Sequence, residues 1–161
     1  MSVKEAKEKA MYWCSRKEYC RKDMFEKAVL WGCTPVEANE LVDFLVEQKF
    51  VDERRYTEAF VKDKLRFNKW GRVKMTYMLR THNIDKEIVT DAMSEINDTE
   101  YLQILIGELQ KKYKTIRQGT TKLSTKLNVF EIKGKLFRFA TSRGFESEMI
   151  DKAISKINDL Q

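Results

Sequence analysis

The sequence predicts an all-α protein built of three tandem three-helix repeats in an elongated arrangement. Three observations carry that expectation. Apolar residues recur at helical spacing through most of the chain. Its 161 residues include one proline and six glycines, too few turn formers for a β-sandwich. Most tellingly, one pattern occurs three times. The stretch Met75–Ile96 finds a counterpart 51 residues earlier and another 61 residues later. Met24, Met75 and Leu136 share a column, as do Ala28, Leu79 and Ala140, then Cys33, Ile84 and Phe145, and finally Leu45, Ile96 and Ile157. The turn column is Gly32, Asn83 and Gly144, and one neighbouring column departs, with Glu37 and Ile88 facing Met149. The repeats divide the chain at 1–51, 52–97 and 98–161. Units so short are near the lower limit for folding alone, so neighbours must lean on one another.

Lys4 to Ser15 reads as the opening helix, with Ala6, Ala10, Met11 and Trp13 apolar. Ser15-Arg-Lys-Glu18 has the form of a capping box or of a closing turn. Arg21 to Trp31 follows, started by Cys20, a poor cap, and ended by Gly32. Thr34-Pro35-Val36-Glu37 is a strong helix start, and that helix runs to Gln48. Asp52 caps the next, with Tyr56, Ala59, Phe60 and Phe67 near one face and Phe67 assigned to the core. Trp70-Gly71 interrupts it, and core packing or exposure are both open for Trp70. Arg72 to Thr81 is the next helix, closed by Asn83 as a left-handed cap. Asp85 then caps a helix with Val89, Ala92, Met93 and Ile96 inward. Glu100 to Tyr113 has a stripe of Leu102, Leu105, Ile106 and Leu109. Thr115 to Leu127 is polar and Thr-rich and reads as the longest loop. Asn128 and Glu131 frame a helix ending at Gly144, weakened by Gly134. Glu146 or Ser147 starts the last, which ends near Ile157.

Composition narrows the function. No run of about 18 uncharged apolar residues is present, so no membrane span is expected. The charged start MSVKEAKEKAMYW lacks the apolar segment of a secretory signal. Cys14, Cys20 and Cys33 are odd in number and not spaced as a zinc site, which fits a reduced, cytoplasmic protein without a metal. With His82 as the only histidine and no phosphate-binding loop, the chain lacks the parts of a nucleophilic or nucleotide-hydrolysing centre. No catalytic residue and no cofactor are expected; the chain reads as a binder.

Charge is segregated. The net charge is +6. Lys62, Lys64, Arg66, Lys69, Arg72, Lys74 and Arg80 stand in a stretch that contains one acid, Asp63. Lys111, Lys112, Lys114, Arg117, Lys122 and Lys126 form a second basic block. The closing helices are acidic, with Glu37, Glu40, Asp43 and Glu47 in one and Glu87, Asp91 and Glu95 in another. Acids near helix starts are ordinary, but that preference does not account for the basic blocks. A basic edge suits a polyanion, and the acidic edge suits a basic protein surface. Candidate contacts to nucleic acid or to a nucleoprotein filament are Lys62, Lys64, Arg66, Lys69, Arg72, Lys74 and Arg80, with Lys111, Lys112, Lys114, Arg117, Arg138 and Arg143 second. Phe67, Trp70, Tyr77 and Tyr113 lie among them, in reach of stacking on unpaired bases.

Phe50-Val-Asp-Glu-Arg-Arg-Tyr-Thr-Glu-Ala-Phe60, followed by Trp70-Gly71, Leu79-Arg80 and Ile84, resembles the middle of the RecX regulatory proteins. Phe137-Arg-Phe-Ala-Thr-Ser-Arg-Gly-Phe145 is similar to that family's C-terminal signature, and Ser15-Arg-Lys-Glu-Tyr-Cys20 to its N-terminal region. Arg72 stands where the family often has proline, Cys20 where serine is usual, and His82-Asn83-Ile84 where a Lys-Gly-Ile turn is common. The resemblance implies a curved stack of three-helix repeats. It also implies a monomer that binds RecA or the RecA–single-stranded DNA filament and restrains ATP hydrolysis and strand exchange. Some members bind DNA directly. The alternative from the residues alone is a helix-turn-helix nucleic-acid-binding module acting without RecA.

Overall fold

The computed structural model describes residues 1–123, 128–157 and 160, with the backbone alone for 120–123. Among the described residues the chain is all-α. Its nine helices are α1 (Val3–Arg16), α2 (Arg21–Leu30), α3 (Pro35–Glu47), α4 (Glu53–Arg66), α5 (Arg72–Thr81), α6 (Lys86–Ser94), α7 (Asp98–Leu123), α8 (Val129–Ser142) and α9 (Ser147–Ser155). No described helix is long and apolar enough to cross a membrane.

The repeat is visible in the backbone. Gly32, Asn83 and Gly144 all take positive φ, at 97°, 58° and 91°. In each case the next residue's N–H returns to a carbonyl five residues back: Cys33 to Ala28, Ile84 to Leu79 and Phe145 to Ala140. This is the same Schellman closure three times, with a buried apolar residue just past each cap. Asn83 is the copy without glycine. Its replacement by alanine should cost about 1 kcal/mol, because a Cβ without a polar side chain is disfavoured there, while Asn83→Gly should be neutral or slightly stabilising. Urea midpoints of the two variants check this.

The chain forms two compact units, one of Met1–Val61 with Met78–Ala92 and one of Lys62–Tyr77 with Met93–Gln161. In the first, α1, α2 and α3 enclose Ala6, Ala10, Met24, Ala28, Leu41 and Leu45, all fully buried. Thr34 and Glu37 form the expected reciprocal capping box. Cys20 starts α2 without a side-chain cap, as expected for cysteine. Burial pushes its thiol up to about 12 and that of Cys14 up to about 11, so both are inert packing groups. The Ser15–Glu18 segment closes α1 instead of opening a helix: the Ser15 hydroxyl donates to the Tyr12 carbonyl.

In the second unit, α7, α8 and α9 pack together around Leu105, Leu109, Leu136, Ala140 and Ile150. Two expectations fail. Residues 115–123 are helical, part of α7, and not a loop. A helix already nucleated gains one hydrogen bond for each residue added, which carries it through this segment although three threonines and Gly119 are weak helix formers and no apolar stripe marks it. The remainder of the expected loop, 124–127, lies outside the described residues. Phe67 is not core but 80% exposed. The buried stripe of α4 is Thr57, Val61 and Leu65, beside Tyr56, and the helix ends at Arg66, so the turn needed to bring Phe67 inward is never made.

Candidate nucleic-acid interface

The connection between α4 and α5 is set by two backbone features. Lys69 takes positive φ (57°), and the Trp70 N–H returns to the Lys64 carbonyl at 3.0 Å. The chain thus folds back on the end of α4 and lifts Phe67 into solvent. The ammonium nitrogens of Lys64 and Lys74 both lie over the Trp70 ring, 4.9 and 4.5 Å from its centroid. Val73 and Tyr77, one helical turn apart on α5, are 57% and 66% exposed.

Immediately after Trp70 the chain is locked. At the start of α5, Gly71 N–H donates to the Arg143 carbonyl (2.8 Å), Arg72 N–H to the Tyr101 hydroxyl (3.0 Å), and Val73 N–H to the Gly144 carbonyl (2.9 Å). Three donors that a helix start leaves unpaired are satisfied by the α8–α9 turn and one buried phenol. Tyr101 donates in turn to Glu146. Glu146 occupies the N-cap position of α9 but makes no cap bond; its other oxygen holds Arg72 at 3.0 Å. Arg72 also reaches Asp98 at 2.6 Å and lies 4.1 Å over the Tyr101 ring. Burial alone would lower its pKa, but the bonds to Glu146 and Asp98 outweigh that and raise it.

The candidate cations therefore fall into different situations. Lys62 is exposed on α4, and neither Lys62 nor Lys69 is ion-paired to a described residue. Lys64 and Lys74 lie over Trp70. Arg66 is exposed yet bridged to Glu100 at 3.2 Å. Arg72 is mostly buried and fully engaged, so its cation serves the fold. Arg80 is exposed on the last turn of α5.

In the second group, Lys112 and Arg143 are brought together on opposite sequence segments by Phe139, at 5.3 and 5.0 Å from its centroid. Lys111 stays exposed 3.6 Å from Glu108, and Arg117 lies 5.6 Å over Tyr113. Lys114 and Arg138 are exposed. Sequence reasoning missed the exposure of Phe67. The signal available was the nearby break at Trp70-Gly71, which places Phe67 in the last turn, where helical periodicity loses force. Among the described residues no cluster of His, Cys, Asp or Glu is arranged to hold a metal ion.

Residues 52–93 match the RecX second three-helix domain. A regulatory protein RecX of Acinetobacter baylyi is 30% identical over 145 residues, spanning 90% of this chain and 83% of its own. The chain belongs to the RecX family. A RecX regulatory protein of Clostridium beijerinckii is 27% identical over 151 residues, covering 94% of this chain and 67% of that one. Two solved RecX structures share the fold. That of Lactobacillus salivarius superposes with a TM-score of 0.81 over 97% of this chain and 96% of its own, at 16% identity. A second RecX structure gives 0.80 over 98% and 71%, at 15% identity. The node around Gly71, Arg72, Tyr101 and Glu146 thus sits inside a RecX fold, and the cations and exposed rings described above are this chain's surface on it.

Proposed function

We propose that this RecX chain is a cytoplasmic, monomeric modulator that lodges on the RecA–single-stranded DNA filament and restrains its ATP hydrolysis and strand exchange. The observation that carries the reading is the co-linear match, over nine-tenths of the chain, to a protein named as regulatory. The repeats proposed at 1–51, 52–97 and 98–161 would supply successive contacts along the polymer. Lys62, Lys64, Lys69 and Lys74 are the proposed cationic contacts, and Arg66, Arg80, Lys111, Lys112, Lys114, Arg117, Arg138 and Arg143 are further candidates. The mechanism is steric and electrostatic, and this chain makes or breaks no bond. A duplex-reading helix-turn-helix is disfavoured, because α3 and α6 would bring Glu37, Glu40, Glu87 and Asp91 against phosphates.

The test is DNA-dependent ATP hydrolysis by purified RecA on circular single-stranded DNA. Substoichiometric protein should slow turnover by more than half once filaments have formed. A rate unaffected even by excess protein would sink the proposal.

A further inference from the structure

We infer that copies of this chain associate head to tail, the α2–α3 turn of one copy entering an open groove between α8 and α9 of the next. This contact goes beyond the filament reading and needs no RecA. A dilute chain stays the monomer proposed above, and copies join where they are concentrated.

The groove has counterparts within the chain, and those are occupied. In the first repeat, Arg21, Lys22, Phe25, Asn39 and Val42 of α2 and α3 line a groove together with Glu53, His82 and Asn83 of the second repeat. Lys22 Nζ donates to the Thr81 carbonyl at 2.8 Å, and the Arg21 N–H to Glu53 at 3.3 Å. The second repeat uses the same columns to seat the third: Arg72 holds Glu146, and the Val73 N–H donates to the Gly144 carbonyl. Each time, the turn carrying the positive-φ residue is seated on the repeat before it. The third repeat has the groove as well. Lys133, Gly134, Phe137 and Ile154, in the columns of Arg21, Lys22, Phe25 and Val42, line it with Phe130. Here the described lining comes from α8 and α9 alone, and no turn is seated in it.

The matching turn of the first repeat is bare. The columns of Thr81, His82 and Asn83 hold Leu30, Trp31 and Gly32. A Cβ added at Gly144 would strike Lys74, whereas one added at Gly32 would meet open space. Leu30 is 84% exposed and Val36 67%. Other repeats hold Thr81 and Ser142, and Glu87 and Glu148, in those two columns. The groove is apolar too. Helix α8 starts one turn earlier in the repeat than α2 and α5, and the added turn carries Phe130, 85% exposed. Terminal units of a repeat array ordinarily turn a polar face to water. In this chain the two unpaired faces are apolar, and they are the two that the repeat joins elsewhere. That identifies a second copy as the occupant: the seat is built for the chain's own turn, and Gly134 adds no side chain to obstruct it. Because the two faces differ, the contact propagates from copy to copy instead of closing as a symmetric dimer.

The experiment is sedimentation equilibrium of the full chain from about 10 to about 500 µM, which brackets the weak affinity expected of one turn in one groove. The wild type should be monomeric at the low end and reach at least about twice the monomer mass at the high end. L30D and F130D should each stay monomeric throughout, with wild-type unfolding midpoints because both side chains are exposed. L30D keeps the groove and F130D keeps the turn. Their equimolar mixture should therefore rise toward the dimer mass and go no further. A wild type that is monomeric at the highest concentration overturns the inference, as does one that stops at a dimer. So does either variant associating like the wild type, or a mixture that stays monomeric. None of these outcomes bears on the RecA assay, which can fail or succeed separately.

Discussion

Replacing Gly144 with alanine is expected to cost at least about 3 kcal/mol and to lower the thermal midpoint by roughly 6–12 degrees. Two effects combine. Gly144 has φ of 91°, where L residues are strained, and a Cβ there would come within 2.6 Å of the Lys74 backbone nitrogen. The neighbour is backbone in the first turn of α5, next to Val73, whose N–H donates to the Gly144 carbonyl, so it cannot move away without straining that bond. Gly71→Ala should be nearly as damaging for the second reason alone, its Cβ falling within 2.5 Å of the Phe145 nitrogen. The matched comparison is Gly107→Ala. Gly107 lies inside α7 with open space where its Cβ would go, so the same substitution should stabilise by about 0.5–1 kcal/mol. Urea denaturation of the three variants is the measurement. Three shifts of the same sign and size would show that the α5 start and the α8–α9 turn do not approach as described.

Arg72→Ala should destabilise the chain by about 2–3 kcal/mol while leaving the salt dependence of oligonucleotide binding unchanged. The Arg72 side chain is 19% exposed and ties Glu146 and Asp98 together, and removing it strands the partly buried Glu146 carboxylate beside the Tyr101 hydroxyl. The contribution of Asp98 is small, since its side chain is 84% exposed and solvent screens it. The triple reversal K62E/K69E/K74E should behave in the opposite way. Its stability should stay near wild type, while the slope of log affinity against log salt falls by about two units on single strands. A slope lost in Arg72→Ala and kept in the triple variant would reverse the assignment of which cations meet phosphate.

The sequence read well where a local rule operates. The bounds of α5, the capping box of Thr34 and Glu37 and the left-handed Asn83 follow from residues within one turn of each other. The triple turn was legible because Gly, Asn and Gly satisfy one backbone demand. The ion pairs of Arg72 are not legible in the sequence, because nothing near it reveals Asp98 or Glu146, which lie 26 and 74 positions away. Equal charge in a list of cations says nothing about which are already neutralised. Phe67 was assigned to the core by periodicity, which counts on a helix continuing. A one-residue difference in the buried stripe of α4 and an end at Arg66 were enough to turn it outward. Helix α7 ran past its apolar stripe because propagation needs no hydrophobic face.

The closure of the first turn of α5 by Arg143 and Gly144 has a consequence for the order in which the protein is made. The donor and acceptor residues are separated by more than seventy positions, so the contact is paid for by closing a long loop late. When α5 leaves the ribosome its leading amides have only water to bond. Those of Gly71 and Val73 acquire their partners only after α8 has been synthesised, several seconds later at usual elongation rates. A nascent chain stalled before that point should hold a settled first three helices and a frayed middle, which protease protection of arrested chains would resolve.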